Sequence, residues 1–500
     1  MSTTLPFDPD AVAAAALAPE DDPPALWLEA PAPGAEEDYG QVSEKNGGAP
    51  LVEVLPPEFA DDALALSFSD SFGDRLRYVA AWGRWFWWSG QVWKHDDTLR
   101  VYDLCRHHCR SYAVNAAPAV QKAVTSGKTI AAVEKLVRSD RRHAASVSQW
   151  DADPWLLNTP DGVVDLRTRA MRPHDPMEHM TKQTTVSPDP EGDCPLWRRF
   201  LHEITAGDVE LQAFLQRICG YALTGITREH AMFFAYGTGR NGKGVFLNTV
   251  GSILGDYAMT ADPDTFTASG TGKHLTVLAR LQGARLVVAQ ETEEGIPWAE
   301  ARIKSVTGGD PITANYMRQD HFTYVPQFKL FIAGNHKPGL RNVDEAIRAR
   351  FNLVPFTVTI PPERRDEQLT EKLAAERPAI LQWMVDGCTD WQSTRLRAPE
   401  AVRSATGAYF EAEDSIGLWL EECCDIGGYR DNLKNVFTSW SKWALAAGEQ
   451  PGLKKAFVAT MEARSHPIKP GSAGIRWVNG LRLRQVEGGN DENNDYHRFR

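Results

Sequence analysis

The spacing of apolar positions changes twice along the chain, and each change predicts a different kind of structure. In the middle third, short apolar runs alternate with helical patterns, which is typical of an α/β domain with a parallel sheet. The runs that predict strands lie at 232–236, 285–290, 328–334 and 351–356. On both sides of this region the patterns are mostly helical, at 99–148, at 197–220 and from residue 361 to about residue 424.

Aromatic residues mark another pattern near the start of the folded sequence. After a predicted helix at 74–81, five tryptophans fall within 82–93, on two short runs around a Ser89–Gly90 turn. Alternating aromatic residues around a tight turn favour a packed hairpin over a surface for stacking bases. A turn at 158–162 and a strand at 163–166 follow.

The last part of the chain combines two helical patterns with a predicted hairpin. Helices are predicted near 430–447 and 453–464, and the Asn479–Gly480 pair predicts a type I′ turn within 475–483. Two helices followed by a hairpin are the layout of a winged helix. The predicted fold class is therefore α/β, with a mostly helical N-terminal domain and a C-terminal winged-helix-like domain.

Charge is distributed unevenly along the 500 residues. The formal net charge is −12, yet residues 1–62 alone carry −13, because they hold 14 acids and one base, Lys45. The same segment holds 10 of the 31 prolines, and the rest of the chain carries 52 acids and 53 bases. We therefore expect a disordered acidic arm in front of a nearly neutral folded part, so the acidic total does not exclude nucleic-acid binding.

Composition and periodicity together predict five segments. They are an acidic arm (1–62), a mostly helical N-terminal domain (63–195), an α/β domain with a helical lead-in (196–360), a helical connector (361–425) and a winged-helix-like domain with a tail (426–500). Seven cysteines without a CxxC pair fit a reducing compartment, and no apolar run approaches the ~20 residues of a membrane span. We expect a cytoplasmic protein without membrane contact.

The most specific motif is a phosphate loop directly after the strand at 232–236. Its residues and the start of the next helix are Gly237, Thr238, Gly239, Arg240, Asn241, Gly242, Lys243, Gly244 and Val245. Glycines let backbone amides surround a phosphate, the helix N-terminus adds positive potential, and Lys243 reaches the β- and γ-phosphates. At Gly244 the hydroxyl that usually binds Mg²⁺ is missing, and neither Asn248 nor Thr249 is an obvious substitute by spacing.

Further polar residues stand where later strands end or begin. Glu291 and Glu293 follow the strand at 286–290, and such acids hold Mg²⁺ and polarise the attacking water in P-loop enzymes. Asn335 ends the next strand and can hydrogen-bond a γ-phosphate oxygen and the water. Arg348 or Arg350 precedes the last strand and can reach the γ-phosphate of a neighbouring subunit. The cofactors expected are ATP and Mg²⁺.

This order of motifs resembles superfamily 3 helicases, and more narrowly the phage and plasmid primase–helicase family, which is related to the poxvirus primase–helicase. The segments that carry the resemblance are Gly-Thr-Gly-Arg-Asn-Gly-Lys-Gly-Val-Phe (237–246), Leu-Val-Val-Ala-Gln-Glu-Thr-Glu-Glu (286–294), Ile-Lys-Ser-Val-Thr-Gly-Gly-Asp-Pro-Ile-Thr-Ala (303–314), Pro-Gln-Phe-Lys-Leu-Phe-Ile-Ala-Gly-Asn-His-Lys-Pro (326–338) and Asp-Glu-Ala-Ile (344–347). The resemblance extends from about residue 63 to about residue 483.

The resemblance implies an AAA+-like P-loop ATPase that forms a homo-oligomeric, hexameric ring and moves 3′→5′ on single-stranded DNA at a forked duplex. Members often carry a Trp-Arg-Arg triplet near the arginine finger. This chain has Arg348-Ala349-Arg350 there, which makes Arg350 the better-aligned finger and Arg348 the second choice. A second departure is Asn315, which stands where an arginine is usual.

The resemblance also implies a hairpin that points into the ring channel. It makes Arg318 and His321 the candidates for DNA contact, with Lys304 in front of the hairpin and Tyr316 and Phe322 as candidates for stacking on bases. In the C-terminal domain, Lys454 and Lys455 belong to a group of bases that can hold DNA phosphates. That domain can equally pack the ring or dock a partner.

The sequence therefore favours an ATP-dependent replicative DNA helicase of a phage or mobile element, with replication partners bound through the arm or the C-terminal domain. Two alternatives remain open. One is a bifunctional DNA primase–helicase. The other is an origin- or partner-binding protein whose ATP site is only a conformational switch, which the missing hydroxyl at Gly244 keeps in consideration.

Overall fold

The structure is a computed structural model of the chain. It describes residues 55–268, 274–290, 296–315, 321–340, 344–448, 450–471 and 474–484. The predicted acidic arm lies almost wholly outside the described residues, as do Glu291, Glu293, Tyr316 and Arg318. By compactness the chain divides at Pro56, and the unit that begins at Pro57 contains every element below.

The N-terminal region combines four helices with two small antiparallel sheets. The helices are α1 (Asp61–Phe72), α2 (Arg100–Tyr112), α3 (Pro118–Val124) and α4 (Gly127–Val137). The first sheet consists of β1 (Leu76–Val79), β2 (Arg84–Trp88) and β3 (Trp93–His95), and the second of β4 (Leu156–Thr159), β5 (Gly162–Asp165) and β6 (Ala170–Arg172). Short 3₁₀ turns occur at Ala80–Trp82, Val147–Gln149 and Pro176–Glu178.

The helix predicted at 74–81 is wrong, because this segment forms β1. Tyr78 lies opposite Trp85 in the antiparallel register, and their ring centroids are 5.1 Å apart. Cross-strand aromatic pairing of this kind outweighs a weak local helix preference. The aromatic strands themselves are confirmed, and Trp85 and Trp93 are buried, as a packed hairpin requires.

A five-stranded parallel sheet forms the centre of the α/β region. Its strands are β7 (Met232–Tyr236), β8 (Ala258–Thr260), β9 (Leu286–Gln290), β12 (Lys329–Gly334) and β13 (Phe351–Pro355), in the order β13-β7-β12-β9-β8. All neighbouring pairs are parallel. The four predicted strands are confirmed because strands covered on both faces read as continuous apolar runs. Strand β8 was not predicted.

Helices pack around this sheet, and a separate two-stranded hairpin precedes β12 in the chain. The helices are α5 (Pro195–Ile204), α6 (Val209–Ala222), α7 (Lys243–Leu254), α8 (His274–Arg280), α9 (Glu300–Thr307), α10 (Glu345–Arg348), α11 (Leu369–Ala374), α12 (Arg377–Thr394) and α13 (Glu400–Ala412). Strands β10 (Ile312–Asn315) and β11 (His321–Tyr324) form the antiparallel hairpin. Short 3₁₀ turns occur at Gly255–Tyr257, Pro263–Thr265 and Pro362–Arg364. Phe233 and Phe234 point to opposite faces of the sheet, so each belongs to a different hydrophobic cluster.

The C-terminal region packs three helices against a three-stranded antiparallel sheet. Its elements in chain order are α14 (Ser415–Cys423), β14 (Cys424–Asn432), α15 (Leu433–Ala446), α16 (Lys454–Ala463), β15 (Ile468–Pro470) and β16 (Arg476–Leu483). The sheet order is β14-β16-β15. Trp419, Trp440 and Phe457 form the centre of its core.

The turn predicted at Asn479–Gly480 is wrong, because β16 runs through both residues. Asn479 lies opposite Arg430, beside a register shift in β14, and its Nδ2 donates to the Pro467 carbonyl at 3.0 Å. Gly480 has φ 89°, which is unusual for a strand. The pair therefore forms an irregular position within the strand instead of a hairpin turn.

Candidate nucleotide-binding site

The phosphate-loop motif connects β7 to α7 and is held tightly from both sides. A methyl group on Gly237 would lie 2.2 Å from the Phe356 carbonyl oxygen, at the end of β13. Gly242 has φ 79°, and a methyl group there would lie 2.6 Å from Ile204 on α5. Only glycine satisfies both positions, since one lacks space and the other also needs a left-handed backbone.

Lys243 begins α7 and lies buried beneath the loop. Its Nζ donates to the Gly237 carbonyl at 2.6 Å, to Asn241 Oδ1 at 2.9 Å and to Asn335 Oδ1 at 3.1 Å. Burial lowers the pKa of Lys243. Three oxygens therefore surround the ammonium, and phosphate oxygens of a ligand can replace them.

Asn335 reaches Lys243 because parallel strands bring their carboxyl ends to one edge of the sheet. Asn335 directly follows β12, and Gly237 directly follows the neighbouring β7. The structure thus brings together two of the predicted site residues from positions 92 residues apart. Strand β9 ends at Gln290 on the same edge, and the two predicted metal ligands that follow it lie outside the described residues.

Two buried polar atoms, one in the loop and one on α7, have unused hydrogen-bonding capacity. Among the described residues, Asn241 Nδ2 and Thr249 Oγ1 are buried without a partner. Asn241 already accepts from Lys243 through its other amide atom. A phosphate oxygen in the loop would offer Asn241 Nδ2 an acceptor, and buried polar groups normally have one.

A cavity of about 520 Å³ opens beside the loop. Its apolar wall comes from Leu196, Phe200, Val245, Ile360 and Leu369. Its rim carries four arginines, Arg199, Arg240, Arg364 and Arg365. Arg364 pairs with Glu203 at 2.9 Å, and the Ile360 amide donates to the Arg240 carbonyl at 3.0 Å. Sequence reasoning missed this cavity because three segments far apart in sequence form it.

The two candidate finger arginines lie near the opposite edge of the sheet. Arg350 immediately precedes β13, and its carbonyl accepts from the Met232 amide at the start of β7. Strands of five residues separate this edge from the phosphate loop by roughly 16 Å. Arg350 Nη1 donates to the Ala346 carbonyl at 2.8 Å, while its Nε is buried without a partner within the described part of the chain. Arg348 lies 5.0 Å from the centre of the Phe410 ring.

Lys304 lies in an ion pair rather than on a free surface. Its Nζ bonds the Asp344 carboxylate, whose other oxygen accepts from the Ile347 amide and caps α10. Partial burial alone would raise the pKa of Asp344, but the hydrogen bonds from Lys304 and the Ile347 amide bring that pKa below its ordinary value. Lys304 thereby connects α9, which precedes the hairpin, to the short helix in front of Arg350.

The hairpin presents His321 beside its tip. His321 is exposed and lies opposite Asn315, the last residue of the other strand before the undescribed tip. Phe322 packs partly against the hydrophobic cluster that contains Phe234 instead of standing free. His321 is thus the exposed member of the predicted DNA-contact set among the residues that the structure describes on this hairpin.

The C-terminal lysines are exposed, whereas several neighbouring arginines are paired. Lys454 and Lys455 begin α16, and Lys454 Nζ lies 5.9 Å from the centre of the Phe437 ring. Arg482 and Arg484 both bond Asp425, at 3.0 Å and 3.1 Å. Part of the basic excess of this region is therefore neutralised within it.

Two family models match the chain. Residues 65–206 match the model described as D5 N terminal like, and residues 235–350 match a family of unknown function, DUF5906. Related viral proteins described as candidate helicases come from Frog virus 3 (isolate Goorha), Acanthamoeba polyphaga mimivirus and Invertebrate iridescent virus 3.

These relatives are 28%, 25% and 26% identical, over 43%, 41% and 45% of this chain and 24%, 22% and 25% of their own lengths. The chain thus spans about a quarter of the length of these relatives. Two structures of the NrS-1 C-terminal region have TM-scores of 0.45 and 0.48, at 8% and 9% identity, over 81% and 84% of this chain and 96% and 100% of theirs. The matched models and the viral relatives confirm the resemblance to phage and viral primase–helicases. Among the described residues, no helix combines the length and apolar character of a membrane span.

Proposed function

We propose that this member of the phage and viral primase–helicase family is an ATP-driven DNA helicase of a phage or mobile element that works as a ring. The observation that carries the proposal is the meeting of Lys243, the glycine-restricted loop and Asn335 at one sheet edge. That edge is where open parallel sheets bind ligands. The helicase names of the viral relatives supply the reaction class.

The loop and the adjacent cavity fit the two ends of ATP. The polyphosphate takes the places of the oxygens that now surround Lys243, and Asn241 Nδ2 gains the acceptor it lacks. The apolar wall formed by Phe200, Val245 and Ile360 suits a purine ring, while the arginines at the rim face the ribose and phosphates. Mg²⁺, when bound, would neutralise phosphate charge, with Glu291 and Glu293 as its proposed carboxylate ligands.

This chain's own residues then carry the chemistry. Lys243 holds the β- and γ-phosphates, and Asn335, beside it at 3.1 Å, orients the attacking water toward the γ-phosphate. One of the two glutamates accepts the proton of that water. Partial burial of the loop excludes bulk water and strengthens these contacts.

The position of Arg350 supports hydrolysis at a boundary between subunits. Roughly 16 Å separates its sheet edge from its own phosphate loop, so it serves a neighbour's site better than its own. The hairpin with His321 would line the ring channel. The C-terminal order of helix, strand, two helices and two strands supports a winged helix that presents Lys454 and Lys455 to DNA.

The decisive experiment combines DNA-stimulated ATPase with unwinding of 3′- and 5′-tailed duplexes, measured alongside the assembly size. Lys243→Ala should abolish turnover and unwinding without changing assembly, whereas the matched surface variant Lys434→Ala should behave as wild type. Wild-type protein that binds ATP yet separates neither substrate would contradict the helicase. A parallel test for oligonucleotide synthesis on single-stranded template decides for the primase–helicase alternative.

Arg350 provides a separate test of the ring. Arg350→Ala should lose turnover when pure. In mixtures with Lys243→Ala, activity should partly return, because some boundaries then pair an intact loop with an intact arginine. No recovery at any mixing ratio, with mixed assembly demonstrated, would refute a shared site.

A further inference from the structure

We infer that Asn248 and Gln290 together replace the hydroxyl that the phosphate loop lacks at Gly244, and present an amide oxygen to the hydrated cation that accompanies the nucleotide. The inference rests on the proposed function, because it concerns the Mg²⁺ that ATP would bring. It assigns a role to one residue on α7 and one at the end of β9 that the sequence motifs leave without one.

The first observation is open space at Gly244. A methyl group built on this residue would meet no heavy atom within 4 Å, in contrast to the crowding at Gly237 and Gly242. The position where a serine or threonine hydroxyl would stand is therefore accessible. A hydrated ion or a side chain from a neighbouring turn can occupy it.

The second observation is the direction of the Asn248 side chain. Asn248 lies four residues after Gly244 on α7, so the two share one face of the helix. Helical side chains lean toward the N-terminus and cover the turn in front of them. The Asn248 amide thus lies on the side of the missing Gly244 side chain, and Asn248 is exposed.

The third observation is the contact that orients this amide. Gln290, the last residue of β9, places its Nε2 3.5 Å from Asn248 Oδ1. The contact is long for a hydrogen bond, which leaves the oxygen able to turn to a stronger partner. Gln290 also directly precedes the predicted acid Glu291, so the strand that leads to the acids also supports Asn248.

The neighbouring hydroxyl does not offer an equivalent. Thr249 is 2% exposed, and its Oγ1 is buried without a partner among the described residues. It stands about 100° further round the helix than Asn248, inside the core. Amide oxygens are accepted ligands of hard cations and of their bound waters, so Asn248 fits the task on chemistry as well as on position.

The test measures nucleotide binding rather than turnover. The 500-residue chain is titrated with a fluorescent ATP analogue, once with Mg²⁺ and once with EDTA, and Mn²⁺ binding to the nucleotide complex is followed by electron paramagnetic resonance. Asn248→Ala should weaken the Mg²⁺-dependent gain in affinity roughly tenfold and leave the affinity in EDTA unchanged. Gln290→Ala should have a smaller effect of the same kind. Asn435→Ala, at an exposed position on α15, is the matched control and should change nothing.

The rescue variant makes the assignment specific. Gly244→Ser supplies the usual hydroxyl where the structure has room, so adding it to Asn248→Ala should restore the Mg²⁺-dependent gain. Equal losses with Mg²⁺ and EDTA, or no loss at all in Asn248→Ala, would overturn the inference. A wrongly assigned nucleotide site would instead appear as wild-type protein without ATP binding, or as Lys243→Ala binding ATP like wild type, whereas a wrong helicase function would appear as wild-type protein that binds ATP and unwinds neither substrate.

Discussion

Replacing Gly237 by alanine tests whether the phosphate loop is held against the end of β13 as described. The new methyl carbon would lie 2.2 Å from the Phe356 carbonyl oxygen and 2.5 Å from Asn241 Nδ2. An ordinary contact needs roughly 1 Å more, and the Phe356 carbonyl belongs to backbone that cannot rotate away. Overpacking of this kind costs about 1–3 kcal/mol, and contact with backbone favours the upper half of that range.

The same clash should also affect the ligand. Asn241 Oδ1 accepts from Lys243, so displacing Asn241 disturbs the ammonium that would hold the phosphates. If about half of this strain energy opposes the ATP-bound conformation of the loop, ATP affinity drops by about tenfold, because 1.4 kcal/mol corresponds to a factor of ten. Urea denaturation followed by tryptophan fluorescence gives the stability, and titration with a fluorescent ATP analogue gives the affinity.

Gly244→Ala is the matched control, because the same added methyl group there meets nothing within 4 Å. Alanine is a better helix former than glycine by up to about 1 kcal/mol, so this variant should be as stable as wild type or slightly more stable. The reasoning is refuted if Gly237→Ala unfolds at the wild-type denaturant midpoint and binds ATP with wild-type affinity. It is also refuted if both variants lose the same stability.

Two further predictions concern Lys304 and His143. Lys304→Met should leave DNA affinity and its salt dependence unchanged and should lower the free energy of unfolding by up to about 1 kcal/mol, because Lys304 bonds Asp344. His321→Ala should instead weaken DNA binding and leave the free energy of unfolding unchanged. A reduced salt slope of DNA binding in Lys304→Met would contradict this. Burial lowers the pKa of His143, whose ring bonds the Leu76 carbonyl and Ser69 Oγ. Its unfolded form takes up a proton near pH 6.5 while the folded form stays neutral, so stability should fall as pH drops from about 6.5 toward the folded pKa, by at most about 1.4 kcal/mol per pH unit for this residue. His143→Gln should reduce that slope in denaturation curves at pH 5–7, and an unchanged slope would show that His143 is not its source.

The parallel strands and the phosphate loop were predictable because local sequence determines them. A strand buried on both faces must be apolar throughout, and a loop that surrounds phosphate needs glycine at fixed spacing. The adjacency of Lys243 and Asn335 also followed, since parallel strands align their carboxyl ends. For the strands and the loop, the physical requirement acts on a few consecutive residues, and for Lys243 and Asn335 it acts through the parallel order of two strands.

Other features depended on contacts that no local pattern reveals. Strand β1 was mistaken for a helix because its partner strand, not its own sequence, determines its conformation. The Asn479–Gly480 turn failed because β14 pairs across it. Asn248 was set aside by spacing as a substitute for the hydroxyl at Gly244, whereas the direction of helical side chains and the contact with Gln290 make it relevant. The pairing of Lys304 with Asp344 likewise joins segments 40 residues apart.

The two ends of the strands in the central sheet have different roles. Contacts at their amino ends attach the region that precedes the α/β domain to the sheet. At the amino edge, Arg285 and Lys329 are buried side by side, and burial lowers the pKa of both. Arg285 Nη2 donates to the Leu156 carbonyl of β4 at 2.6 Å, and Lys329 bonds the Thr224 carbonyl after α6. Removing either cation would leave buried carbonyls unsatisfied, at about 1–3 kcal/mol each. The contacts that hold the N-terminal region are thus concentrated at the amino ends of the strands, away from the phosphate loop. The carboxyl ends keep the glycines, amides and open space that a nucleotide and its cation need.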